Sequence, residues 1–134
     1  MSDQNVPDQL RYTEEHEWIE QISSTRVRVG ITEYAQEKLG DIVYVQLPEV
    51  GSETQSGEPF GEVESPKSVS DLFAPLTGNV VEVNSELESS PELINNDAFG
   101  EGWIVVLEIA DEEDLQAQLE ETLDAEAYKK VTAE

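Results

Sequence analysis

Short alternations of apolar and polar residues, separated by turn residues, run through most of this chain. Val27, Val29 and Ile31 alternate with Arg28 and Gly30, which is the two-residue period of a half-buried strand. In chain order, the pattern predicts strands at HEWIEQI, VRVGI, DIVYVQLP, EPFGEVE, SVSDLFA, NVVEVN and WIVVLEI. Short strands at such tight spacing, followed by a helical tail, favour a small barrel or sandwich.

Two short helices are predicted between the strands. TEYAQEKLG begins with Thr32, a residue suited to the N-cap, and ends at Gly40, a typical helix stop. PELINND is typical of a single helical turn, with Pro91 at a permitted first-turn position. We expect the side chain of Ser89 or Ser90 to cap that turn.

The tail from Asp111 onward changes to a helical period. Leu115 and Leu119 are four residues apart, and a single helical face can continue through Leu123, Ala127 and Tyr128. Acidic residues at 111–114 and lysines at 129–130 lie in the order that the helix dipole favours. The sequence thus predicts a single domain over residues 1–134, with a core at about 10–110 and a helical segment at about 111–131.

The charge of the chain narrows the classes of partner. It has 134 residues, with 31 Asp plus Glu against 7 Lys plus Arg, and a formal net charge of −24. Such a field repels phosphate backbones and anionic lipid surfaces, so we expect neither a nucleic-acid nor a membrane partner. The first ten residues resemble neither a signal nor a transit peptide, and no run is long enough to span a bilayer. A cytoplasmic protein is therefore predicted.

A stand-alone enzyme or a metal centre is disfavoured by the residues available. The chain has no cysteine, so it has no disulfide, thiol nucleophile or cysteine metal ligand. His16, among acidic neighbours, is its only histidine. Zinc sites usually need several His or Cys ligands, and no nucleophile-elbow motif is present. We therefore predict neither a catalytic residue nor a metal site.

One turn carries chemistry that the rest of the chain lacks. Ser65-Pro66-Lys67-Ser68 has the composition of a type I turn, and it places one of only four lysines at its tip. An amine nucleophile needs desolvation or neighbouring cations, whereas carboxylates surround this turn. Two interpretations remain: an ordinary exposed lysine, or an accessible amine to which another enzyme attaches a group.

Several blocks of sequence carry a family resemblance. The segment around Lys67 is similar to the lipoyl-attachment region of the glycine cleavage system H protein family, and further matching blocks follow the same order. The matching blocks are YTEEHEWIE, VGITEYAQEKLGDIVYVQLPEVG, GEVESPKSVSDLFAPLTGNVVEVN and SPELINNDAFGEGWIVVLEI. The resemblance covers roughly residues 10–110 and implies a mainly β fold, a lipoyl/biotinyl-type flattened barrel-sandwich hybrid with short helices and a helical C-terminus.

The resemblance also implies roles for individual residues. Lys67 would carry lipoic acid in amide linkage, while Glu64 and Gly78 match positions at which the lipoylating enzyme recognises the family. The family commonly has a β-branched residue where this chain has Pro66, which suits the turn, so we expect attachment to survive.

A cleft for the loaded arm is implied near the HEW strand and the strand after the attachment site. Glu15, Glu17 and Asp71 would lie there, where carboxylates can hold a cationic aminomethyl group. The alternative is that they are ordinary surface acids of a very acidic chain.

The function implied is that of a non-catalytic lipoyl carrier. It would receive the aminomethyl group of glycine from the pyridoxal-phosphate decarboxylase (P protein) and deliver it to the aminomethyltransferase (T protein). Dihydrolipoyl dehydrogenase (L protein) would then reoxidise the dithiol of the lipoyl arm. The alternative is an H-like protein that relays lipoate to other complexes.

Two other families of carrier domain do not match the turn around Lys67. Biotinyl domains place methionines beside the lysine, and lipoyl domains of 2-oxo-acid dehydrogenases have an Asp-Lys-Ala turn, whereas here the neighbours are Pro66 and Ser68.

Overall fold

Two antiparallel sheets form the frame of the molecule. The computed structural model describes residues 7–132, and within them nine strands are present. The six-stranded sheet has the order β1-β2-β3-β9-β8-β5, and the three-stranded sheet has the order β4-β6-β7. The strands are β1 Arg11–Tyr12, β2 Glu17–Gln21, β3 Arg26–Ile31, β4 Tyr44–Gln46, β5 Glu53–Thr54, β6 Pro59–Ser65, β7 Ser68–Phe73, β8 Gly78–Val83 and β9 Val105–Glu108.

Short helices connect and close the sheets. Those described are α1 Glu33–Leu39, a 3-10 helix at Ser85–Glu88, α2 Leu93–Asn96, α3 Glu112–Glu120 and α4 Ala125–Thr132. The main core contains alternate apolar residues of both sheets, such as Val29 of β3, Val63 of β6 and Leu107 of β9. A mainly β sandwich with short helices is therefore confirmed.

A glycine opposite a tryptophan fixes β2 against β3. Trp18 pairs with Gly30, and a Cβ added to Gly30 would lie 2.6 Å from the Trp18 ring. The indole therefore occupies the space that any other residue at position 30 would fill. Its Nε1 donates a hydrogen bond of 2.8 Å to the carbonyl of Ala98, so this buried polar group has a partner. These contacts hold the HEW segment against β3 and the loop that contains Ala98.

The predicted caps of α1 are confirmed, but the strand after it is shorter than predicted. The Thr32 hydroxyl accepts from the N–H of Ala35, and Gly40 ends the helix with a φ of 87°. The predicted DIVYVQLP strand shrinks to β4, Tyr44–Gln46. Before it, the N–H of Ile42 donates to the Asn95 side chain of α2 at 2.8 Å, while the N–H of Val43 donates to the Glu64 carbonyl of β6 at 2.8 Å.

The expected serine cap of α2 is wrong. The N-cap position is Glu92, which makes no capping hydrogen bond with its side chain. Ser90 contributes only its backbone carbonyl, which accepts from the N–H of Leu93 at 3.1 Å.

The expectation of a single helical face in the tail is also wrong, because the tail forms two helices. Leu123 leaves the helical path, and its N–H and carbonyl pair with those of Tyr12 at 2.7 and 2.8 Å. Asp124 then starts α4, since its side chain accepts from the N–H of Ala127 at 2.8 Å. The tail is thereby fastened to β1 and to the HEW segment, which positions the site described next.

Candidate functional site

Lys67 lies at the tip of the hairpin formed by β6 and β7. Ser65 pairs with Ser68, so Pro66 and Lys67 are the two turn residues. Among the described residues other than glycine, only His16 has a positive φ, which is consistent with the predicted type I turn and excludes types II, I′ and II′. The buried Ser65 hydroxyl accepts from the N–H of Ser68 at 3.3 Å. The lysine is therefore mounted on a short turn that its neighbours hold.

The Lys67 side chain is exposed and extends past the end of α1. A Cβ added to Gly40 would lie 3.5 Å from the lysine Cε, so the lysine stem passes beside this glycine. The salt bridges among residues 7–132 join Arg26 to Glu108 and Arg28 to Glu20, and Lys67 takes part in neither. An exposed amine on a rigid turn is open to an enzyme that forms an amide.

The outer face of the three-stranded sheet surrounds the base of the hairpin. Glu64 lies between Tyr44 of β4 and Val69 of β7 in the strand register. Tyr44 is 48% exposed and Val69 is 59% exposed, which is unusual for large apolar side chains. Glu64 is thus a half-buried carboxylate flanked by two accessible apolar groups, an arrangement that a partner protein can recognise.

Glu17 is buried at the junction of the two sheets. One carboxyl oxygen accepts from the Thr13 hydroxyl at 2.8 Å, and the other accepts from the Phe73 N–H at 3.1 Å. Burial raises the pKa of Glu17 to about 8, against the lowering effect of these bonds, and the charge of Glu15 adds to the increase. Glu17 therefore joins β2 to the end of β7 and is largely neutral at pH 7.

The three residues expected in the arm cleft occupy different environments. Glu15 is exposed and acts electrostatically on Glu17. Asp71 is exposed on β7, two residues before the Phe73 N–H that Glu17 binds. A groove of about 220 Å³ is lined by Asp71 and Glu62 together with Gln46, Phe60 and neighbouring residues, but not by Glu15 or Glu17. Glu15 and Glu17 thus lie near each other, while Asp71 lies on β7, in the other sheet.

Gly78 lies in the other sheet from Glu64. A Cβ there would be 2.6 Å from the Glu108 carbonyl oxygen and 2.8 Å from Ile109 Cδ1. Its N–H donates to the Thr54 hydroxyl at 3.1 Å. The structure thus gives Gly78 a packing role, because only glycine allows β8 to lie so close to β9.

Sequence reasoning missed an aromatic cluster beside Glu17. His16 adopts a φ of 72°, and its Nδ1 lies 2.9 Å from the Tyr128 hydroxyl, which also bonds Thr32. Its ring contacts Tyr34 of α1 at a centroid distance of 4.8 Å, and Tyr12 stacks on Tyr128 at 4.7 Å. Burial lowers the pKa of His16. A lone histidine was the only signal in the sequence, and its partner lies 112 residues away.

Residues 7–132 show neither a metal-binding cluster nor a helix that could cross a membrane. No group of three or more His, Cys, Asp or Glu side chains there is arranged to hold a metal ion. In the same range, every helix is too short or too polar to cross a membrane.

Comparison with known proteins decides the family. The family model for the glycine cleavage H-protein matches residues 10–134. The chain belongs to this family. A glycine cleavage system H protein from Mycobacteroides abscessus is 57% identical over 127 residues, which are 95% of this chain and 97% of that protein. One from Mycolicibacterium gilvum is 58% identical over 124 residues, which are 92% of this chain and 94% of that protein.

A solved structure agrees with these relatives. The crystal structure of a glycine cleavage system H protein from Mycobacterium marinum superposes with a TM-score of 0.85 at 41% identity, and the match covers 96% of this chain and all of that one (100%). As a member of this family, the chain is a lipoyl carrier of the glycine cleavage system and is not itself an enzyme. The resemblance predicted from sequence is confirmed.

Proposed function

We propose that Lys67 is the residue that carries lipoate, in amide linkage to its Nζ, and that the loaded arm moves between the P, T and L proteins. The observation that supports this most is the exposed amine at a two-residue hairpin tip, in a chain that belongs to a lipoate-carrying family. The described surroundings are compatible with the group, since Lys67 takes part in neither salt bridge and extends over a glycine.

The chain supplies position, and the attached group supplies chemistry. When bound, the lipoyl dithiolane accepts an aminomethyl group and undergoes thiol–disulfide redox change. The hairpin holds the attachment point away from the sandwich, while the flexible lysine stem raises the effective concentration of the arm's end at each partner site. Family membership implies P, T and L partners, and the net charge of −24 favours basic surfaces on them.

Recognition and docking roles are part of the same proposal. Glu64 and Gly78 would be recognised by the lipoylating enzyme, with Glu64 supported by its exposed apolar neighbours and Gly78 by the backbone position it allows. Glu15, Glu17 and Asp71 would hold the loaded arm, with Asp71 alone of the three lining the groove of about 220 Å³ and Glu17 buried. Because Glu17 is largely neutral at pH 7, the exposed Glu15 and Asp71 would supply the first attraction for a cationic amine. No observation favours the lipoyl-relay alternative.

The proposal is tested by mass spectrometry on the full chain. After incubation with a lipoate ligase, lipoate and ATP, intact mass and peptide mapping should show one lipoyl adduct, on Lys67. Lys38, Lys129 and Lys130 should stay unmodified. Adding glycine and the decarboxylase should then load the oxidised arm with an aminomethyl group. An adduct on another lysine would overturn the assignment, and a lipoylated chain that never loads would overturn the role in glycine cleavage.

The role of Glu64 is tested by Glu64→Gln. This change removes the charge and keeps the size and half-buried position of the side chain. We expect kcat/KM for lipoylation to fall about tenfold, as is typical for loss of one charge-assisted contact. Glu53→Gln is the matched control, because Glu53 is an exposed strand residue of the other sheet. Equal rates for both variants would remove Glu64 from the recognition surface.

A further inference from the structure

The outer edge of β7 is an unpaired strand edge beside the attachment lysine. β7 is the last strand of the three-stranded sheet and pairs only with β6 among the described strands. An edge strand presents a row of backbone N–H and C=O groups that another chain can pair with.

Hydrogen bonds at the end of β7 show which backbone groups face outward. The N–H of Ala74 donates toward the β6 side, to Glu58, at 2.8 Å, whereas the N–H of Phe73 points the other way, to the Glu17 carboxyl. Because successive N–H groups of a strand alternate in direction, those of Val69 and Asp71 face outward with that of Phe73. The register with β6 is unbroken from Leu72 to Ser68, so the alternation continues to the turn.

This edge lacks most of the protection that natural edge strands carry. SVSDLF contains no proline and no lysine, and the only irregularity of the hairpin lies in β6, between Pro59 and Gly61. The Glu17 carboxyl accepts the outward N–H of Phe73, so it protects only that end of the β7 edge. At the Lys67 end, Val69 is 59% exposed, and Asp71 is the one charged side chain on the strand. The half of β7 nearest the attachment lysine is therefore the open half.

We propose that the lipoylating enzyme binds this chain by adding an extended segment of its own to the β7 edge, pairing with the backbone of Val69 and Asp71. The proposal rests on Lys67 being the attachment residue. The matching segment would carry a basic side chain toward Asp71 and its cross-strand neighbour Glu62, and an apolar one toward Val69. Charge complementarity supports this, because the charged side chains that the register places on this face, Glu62, Glu64 and Asp71, are all acidic.

Strand pairing would also explain how one lysine is selected. Val69 is two residues from Lys67, or roughly 7 Å along a strand. Backbone bonds at Val69 and Asp71 would fix the register of the two chains, and thereby the position of the Lys67 amine in the enzyme's active site. Lys38 of α1 and the lysines of α4 are outside any strand and cannot be presented in this way.

Val69→Pro tests the proposal, with Val69→Ile as its matched control. Proline removes the outward N–H and places its ring on the edge, but it breaks no bond to β6, and prolines are tolerated at such edge positions. We expect kcat/KM for lipoylation by a lipoate ligase to fall at least about tenfold in Val69→Pro. The rate should stay within about threefold of wild type in Val69→Ile, which keeps the N–H and an apolar β-branched side chain. Equal rates for Val69→Pro and wild type would overturn the proposal.

Amide hydrogen exchange supplies a test that needs no change to β7. In Lys67→Arg, which binds without being modified, the N–H groups of Val69 and Asp71 should exchange quickly alone and slowly with the ligase bound. Those of Ser70 and Leu72, which face β6, should be protected in both cases. Unchanged exchange of the Val69 and Asp71 N–H groups on ligase binding would overturn the proposal. Protection of these N–H groups in the chain alone at high concentration would also overturn it, because that result indicates pairing with a second copy. Failure of the attachment hypothesis can be told apart from failure of strand pairing. In the first case the wild-type chain gains no adduct on Lys67, whereas in the second it gains the adduct without protection of the β7 edge.

Discussion

Lys67→Arg should abolish lipoylation while leaving the fold intact. A guanidinium stays protonated and cannot be acylated under conditions in which an amine can. The side chain is exposed and takes part in neither described salt bridge, so unfolding free energy should change by no more than about 0.5 kcal/mol. Intact mass after incubation with a lipoate ligase, lipoate and ATP should remain that of the unmodified chain.

Lys38→Arg is the control for that experiment. Lys38 lies on α1, the helix whose terminal Gly40 packs against Lys67, and its Nζ is 5.3 Å from the centre of the Tyr34 ring. Lys38 thus lies on the helix next to the proposed attachment residue, and its variant should still gain one adduct, on Lys67. If Lys67→Arg gained the adduct and Lys38→Arg did not, the attachment site would have to be reassigned.

Glu17→Gln should change how stability depends on pH. The wild-type carboxyl has a pKa of about 8 in the folded chain, against 4.5 as its ordinary value. Between these values the unfolded state has released a proton that the folded state still holds. Wild-type stability should therefore fall, relative to the glutamine variant, as pH rises from about 4.5 to 8, by at most about 1.4 kcal/mol per pH unit.

Glutamine is the informative replacement because it imitates the protonated acid. Its carbonyl can accept from the Phe73 N–H, and its amide can donate to the Thr13 hydroxyl. Urea unfolding of both proteins at pH 5, 6, 7 and 8 gives the difference in unfolding free energy at each pH. A difference that stays constant over this range would contradict the raised pKa. The Glu15→Gln protein keeps Glu17, so its own stability should still fall as pH rises through this range.

Local sequence patterns were sufficient for most elements of this fold. The alternation in VRVGI predicted β3, Thr32 and Gly40 predicted both ends of α1, and Pro66 predicted the turn. Each is decided by residues within a few positions of one another. The patterns failed where a distant partner competed with the local preference. Ile42 leaves its predicted strand for Asn95, and Leu123 leaves its predicted helix for Tyr12.

The same distinction holds for the candidate site. The sequence by itself determined the exposed lysine on its turn and the blocks that reveal the family, because turn chemistry and motif order are properties of the chain. Only the tertiary structure decided that Glu17 is a buried, largely neutral acid and that Gly78 is needed for close packing. It also decided that the outer edge of β7 has no partner strand among residues 7–132. The physical reason is that burial, close contact and strand pairing depend on segments that are far apart in sequence and meet only when the two sheets pack.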